Sequence, residues 1–168
     1  KSIIRYNSRF KILWDVSAIV AVLVSLVVVP YEVIFLHNPS STSTLVYFLL
    51  TAFFLADIYV SFKTSVKQYN EEIQDGNTIQ KKYFKSSFWI DVLGAFPFEI
   101  FFLGSSLEIF NEPIILILRL NVLFRLRRFF EIFGKWSEFH WINAGYLRLI
   151  RFSVVMLMLV HLISCTWY

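Results

Sequence analysis

Cysteine occurs once in this 168-residue chain, at Cys165, which excludes an internal disulfide and a cysteine-built metal cluster. A small apolar residue packed in a helix accounts for it. Glycine and proline are scarce as well, at five and four, so little interrupts long helices. No nucleophile stands beside a base and no metal-ligand spacing is present, so no enzymatic or metal site is expected in this stretch. His161 is isolated and reads as a packed or hydrogen-bonding helix residue. Lys and Arg do not gather on polar segments, as a nucleic-acid binder would require; they sit at the ends of apolar ones. No cleavable signal peptide is evident, because the first apolar run is too long and lacks a small-residue cleavage site.

What the chain does have is apolar surface. It is 57% hydrophobic and 19% aromatic, with a mean hydropathy of +0.62, against roughly 45–50% apolar in soluble domains. Too little polar surface remains to cover a globule, so a bilayer is the expected solvent. Five membrane helices are predicted, over 12–36, 44–63, 85–103, 113–131 and 144–168. The fifth reaches the last residue, and a piece of a longer polytopic chain is expected. Pro30 should kink the first span, and Pro113 opens the fourth where a missing N–H is harmless.

The connections predict the sides. The N-terminal segment carries Lys1, Arg5, Arg9 and Lys11, and "HNPSSTS" after the first span has no Lys or Arg. The segment from Lys63 to Lys85 holds five lysines, and "GSSLEIFNEP" again has none. This alternation predicts a cytoplasmic N-terminus. "EEIQDGNTIQKKY" reads as a solvated turn.

Ionisable residues inside the spans are the costly ones, at about 2.5–3.5 kcal/mol each near the centre. At 1.5 Å per residue, Asp57, Asp91 and Arg125 fall at one level, roughly 10 Å from the inner boundary. Glu99 and Arg119 share a higher level, and Asp15 lies near Arg127 and Arg128. Paired in this way, few charges face lipid alone. Arg127 and Arg128 also admit a plainer role, snorkelling to the headgroups from the last turns. Arg119, Asp57 and Asp91 do not fit that role, since Asp is short and Arg119 is deep.

Arg119, Arg125 and Arg128 share a period of three, with Val122 in the skipped place. On an α-helix Arg119 and Arg125 diverge by about 120°; a 3₁₀ segment would align all three. A helix that slides or tightens would carry them past one acidic site in turn. The gap at Val122 predicts a weak or modified response to voltage.

These residues carry a resemblance. "WD" at Trp14–Asp15, "FLADIYVSFKT", "GNTIQKKYFKSSFWIDVLGAFPFEI" and "LRLN…FRLRRFFEIF" resemble the voltage-sensor helices of cyclic-nucleotide-binding-domain channels. That family comprises the cyclic-nucleotide-gated, hyperpolarisation-activated and ether-à-go-go groups; the fourth helix is closest to the cyclic-nucleotide-gated pattern. "GYLRLIRFSVVMLMLVHLISCTWY" is similar to the first pore helix. The resemblance implies an all-α fold, a polytopic transmembrane four-helix voltage-sensor bundle over 1–131. A linker over 132–143 and a truncated first pore helix over 144–168 would follow. It implies voltage-sensing arginines at Arg119, Arg125, Arg128 and Arg127, with constriction and countercharges at Phe54, Asp57, Asp91, Glu99 and Asp15. Glu99 stands where the family usually has Asp, and Val122 where a basic residue is usual.

The whole protein implied is a homotetrameric channel for K⁺ or monovalent cations generally, multi-pass in the plasma membrane. Its partners would be the lipid bilayer, identical subunits and permeant cations, with no nucleic acid. No cofactor belongs to this stretch; a cyclic nucleotide, cAMP or cGMP, would bind a C-terminal domain beyond it. Two other classes remain open to the sequence: the sensor of a voltage-controlled enzyme or proton pore, which the fifth span disfavours, and a carrier fragment, which would not need the period of three.

Overall fold

A run of 27 residues without glycine, Arg9–Phe35, forms α1, which continues unbroken through Pro30. This computed structural model describes residues 3–35, 41–68, 71–73, 75–98, 119–137 and 143–167. α2 spans Ser41–Phe62. A short antiparallel hairpin follows, β1 Val66–Gln68 with β2 Glu71–Ile73. Next come α3, Gly76–Ser86, and α4, Phe88–Ala95. A 3₁₀ helix over Arg119–Arg125 runs directly into α5, Leu126–Trp136, and α6 covers Ala144–Trp167. The fold is all-α, with the hairpin as its one departure among the described residues. Three described helices are long and apolar enough to cross a membrane by length and composition: α1, α2 and α6.

The first, second and fifth predicted spans match α1, α2 and α6 to within about three residues. The other two differ. The predicted turn over 71–83 is β2 followed by α3, which Asp75 caps by accepting from the Thr78 N–H at 3.0 Å. Ile79 and Tyr83, four residues apart, bury one side of that helix. The third span therefore does not begin at Lys85 as one helix; Ser87 separates α3 from α4. The fourth continues to Trp136, beyond its predicted end at 131 and into the predicted linker. Ile132 and Phe133 are buried there, so apolar contacts carry the helix past the point where hydropathy fades.

α1 is built with its polar stripe inward. Lys11, Asp15, Ala18, Val22, Ser25, Val29 and Glu32 recur at alternating steps of four and three, and all are buried. Leu13, Val20, Val24 and Tyr31 on other faces are exposed. Such an arrangement would be unstable in water and is stable where the surroundings are apolar. The core lies between α1, α2, α4, α5 and α6, where Val22, Leu26, Phe54, Ala95, Phe129, Phe133 and Leu147 form one cluster. Val29, Tyr47 and Val122 form a second.

Three contacts fix how the helices meet. Gly94 lets α4 approach the 3₁₀ helix, since a Cβ there would sit 3.2 Å from Arg125 Cγ and 3.3 Å from its backbone nitrogen. Asn121 donates to the carbonyls of Leu93 and Phe96, at 3.0 and 2.6 Å, satisfying acceptors that the end of α4 leaves open. The His161 ring lies 3.1 Å from the Val27 carbonyl, tying α6 to α1. At the other end, Ile4 bridges to the end of α2 through Lys63 and Ser65, both at 2.8 Å.

Candidate functional site

The 3₁₀ helix decides the site. Three residues per turn bring Arg119, Val122 and Arg125 onto one face, and all three are buried. The chain turns α-helical at Leu126 just in time for Arg128 to continue that face. Arg119, Arg125 and Arg128 are each about 4% exposed. Three guanidinium groups thus descend through the bundle in a column.

Each meets a different partner. Arg119 Nη1 lies 3.5 Å from Glu32 Oε2, and its guanidinium carbon sits 4.8 Å from the centre of the Tyr47 ring. Both members of that ion pair are buried, so the charge of each is needed to keep the other. Val122 comes next, against Val29 and Tyr47. Arg125 lies over the Phe54 ring at 4.2 Å, and its Nε donates to the Gly94 carbonyl at 2.7 Å. No acid among the described residues pairs with Arg125; the aromatic face and a carbonyl take that place. Beside it a cavity of about 20 Å³ is lined by Phe54, Asp57, Asp91, Gly94 and Arg128.

Arg128 holds the strongest pair. Its Nη2 donates to Asp57 Oδ1 at 2.9 Å and to Ser61 Oγ at 3.0 Å. Nε lies 2.7 Å from Asp57 Oδ2, where proximity adds attraction though the angle is too poor for a hydrogen bond. Trp14 donates its indole N–H to the same Oδ1 at 2.9 Å, so Asp57 is fixed from α1 as well. On the far side Arg128 reaches Glu131 at 3.5 Å, and Glu131 in turn meets Lys135 at 3.3 Å.

Arg127 points elsewhere. It donates to Ser87 Oγ at 2.5 Å and lies 3.5 Å from Asp91 Oδ1, whose other oxygen accepts from the Tyr83 hydroxyl at 2.6 Å. Its side chain is 32% exposed. Arg127 therefore binds the junction of α3 and α4 and stands outside the column.

Several expected pairings change. Arg125 does not share an ion pair with Asp57 or Asp91; those acids hold Arg128 and Arg127, because the helix runs on to Trp136 instead of ending at 131, which sets every arginine farther from the inner end than predicted. Asp15 does not meet Arg127 or Arg128 directly. It pairs with Lys11 one turn away at 2.5 Å, and both are buried. Burial also removes the snorkelling role from Arg128. Phe54, expected to form the constriction, is buried beneath the Arg125 guanidinium. Glu99 lies outside the described residues. The sequence reading missed Glu32, Lys11, Tyr47, Asn121 and Gly94. For Glu32 and Lys11 the signal was present: both fall on the heptad-spaced stripe through Asp15.

The family model for ion transport proteins matches residues 11–168. The chain belongs to the ion transport protein family. Its family and its three long apolar helices make it a multi-pass membrane chain. It is 28% identical to the voltage-gated inwardly rectifying potassium channel KCNH2 of Canis lupus familiaris, over 98% of this chain and 15% of that protein. Identity to KCNH7 of Mus musculus is 28%, over 100% and 15%. To KCNH6 of Homo sapiens it is 26%, over 98% and 18%. These relatives are of the ether-à-go-go type, one of the groups that the motifs resemble. The chain spans less than a fifth of the length of these relatives.

Proposed function

We propose that this chain is the voltage-sensing transmembrane region of a tetrameric cation channel, with Arg119, Arg125 and Arg128 as its moving charges. The observation that carries the reading is the buried column on the 3₁₀ helix, which faces Glu32, Phe54 and Asp57 in succession. Each elementary charge carried across the full membrane field is worth about 2.3 kcal/mol per 100 mV. Buried arginines aligned by threes convert a sliding step of one turn, about 6 Å, into replacement of one arginine by the next. Phe54 gives a passing guanidinium a π face and Asp57 gives it a charge, so neither position costs full desolvation. Val122 is the missing rung and lowers the charge moved per step.

Arg127 serves this reading as a tether to α4 and not as a moving charge. The sensor occupies 1–131 with its helix extended to Trp136, and α6 begins the pore. By the relatives' printed activity, the permeant ion is K⁺ or a monovalent cation generally. The location is the plasma membrane with a cytoplasmic N-terminus, supported by the alternation of lysine-rich and lysine-free connections. A cyclic nucleotide would act at a domain beyond residue 168, as the resemblance implies. The test is a cysteine at Arg119 in the full-length channel. Its modification by an aqueous thiol reagent should differ at least severalfold between two membrane potentials. Equal rates would reject the moving column.

A further inference from the structure

The column has its end residues spaced so that one register is held better than its neighbours. Glu32 is 3% exposed and sits on α1 at the end opposite Lys11 and Asp15. It binds Arg119 at 3.5 Å while Tyr47 covers the guanidinium from α2. We propose that Glu32 is a positioning residue that latches the arginine segment at the limit of its travel away from the lysine-rich end. The inference rests on the voltage-sensing reading and adds a direction to it.

The argument is one of register. A shift of three residues away from the lysine-rich end would bring Val122 to Glu32, replacing a guanidinium with an isopropyl group. Arg125 would enter the apolar cluster of Val29 and Tyr47. Glu131 would arrive at Asp57, setting two carboxylates together where Arg128 now bridges them. All three changes are unfavourable, because each leaves a buried charge unmatched or faces like charges.

A shift of three in the opposite direction is different. Arg125 would take Asp57, which keeps that acid paired. Arg119 would enter the cluster of Val29 and Tyr47, as Arg125 would in the other direction. Glu32 would lose its cation either way, since Leu116 stands three residues before Arg119 and Val122 three after. The two directions differ at Asp57, which meets Arg125 in this one and Glu131 in the other. Travel from the observed register is therefore in one direction, and its starting position is set by the grip of Glu32 on Arg119.

The test uses the full-length channel and two readouts. In a cycle of Glu32→Gln, Arg119→Gln and the double variant, the thermal midpoint of the purified channel should fall with each single change. The double variant should fall by less than the sum. In membranes, Glu32→Gln should change the equilibrium between the two sensor positions about tenfold or more at fixed potential, favouring the inward one. Glu32→Asp should recover most of that change. Additive thermal effects overturn the latch. Thermal coupling without any change in the conductance–voltage midpoint, in a channel where Arg128→Gln does change it, overturns it too and leaves a purely structural pair. If no arginine substitution moves the midpoint, the voltage-sensing reading is what fails, and the thermal cycle still decides whether Glu32 holds Arg119. Should Glu32→Gln not fold, Glu32→Ser, which also removes the carboxylate, supplies both readouts.

Discussion

The 3₁₀ helix and α6 are both apolar helical stretches that carry arginines, and they handle them in opposite ways. Along Arg119–Arg125 the arginines lie inside, over Tyr47 and Phe54, while Leu123 and Phe124 face out. Along α6, Arg148 and Arg151 are exposed in the first turns, and exposed Leu149, Ile150 and Phe152 surround them. Residue type does not separate the two cases. Position does: an arginine near a helix end can extend to water, whereas one in mid-bundle needs a protein partner.

If that contrast is right, the largest effect should come from Arg128. Arg128→Gln leaves Asp57 buried without its cation and should cost on the order of 3–5 kcal/mol in unfolding of the purified full-length channel. A loss near zero would place Arg128 with the arginines of α6. Next is Gly94→Ala, whose new methyl meets the backbone of Arg125 and Phe124 Cβ at 3.3 Å. It should cost about 1–3 kcal/mol by the same measurement and should shift the conductance–voltage midpoint, because it pushes the column off α4. An unchanged midpoint would mean that the close approach of α4 does not position Arg125.

Arg151→Gln sharpens the other side of the comparison. It should stay within about 0.5 kcal/mol and leave voltage dependence unaltered. The smallest effect concerns α3. Hydrogen bonds from the Thr78 hydroxyl and N–H hold the Asp75 carboxyl below its ordinary value. Because the folded form has the depressed pKa, the cap acts above the unfolded pKa and is lost as pH falls through the folded one. Amide protection in the first turn of α3, relative to the intrinsic exchange rate at each pH, should therefore fall on acidification below about pH 3.9, and Asp75→Ala should remove that dependence.

Much of the helical frame was legible because apolar runs and the placement of lysines act over twenty residues at a time. The all-α class and the three long helices followed, and Arg119, Arg125, Arg128, Asp57 and Phe54 all lie buried in the bundle. Pairing was not legible. A depth ladder that ended the fourth helix at 131 put Arg125 opposite Asp57 and Asp91; the helix runs on to Trp136, which leaves Arg128 and Arg127 there instead. Glu32 was passed over because it follows Pro30 near the end of a span, where an acid reads as a surface residue. α3 was read as a turn since its two buried residues, Ile79 and Tyr83, are too few to lift the local hydropathy.

By itself the sequence determined the solvent and the spacing. So much apolar surface requires lipid, and arginines at steps of three require either a 3₁₀ helix or divergent directions. Only the tertiary structure decided between those two. Gly94 and Asn121 bring α4 against the chain, and Tyr47, Phe54 and Asp57 offer three cation partners on one side. A chain that must bury three guanidinium groups next to those partners gains more from aligning them than it loses in the poorer hydrogen bonds of a 3₁₀ helix.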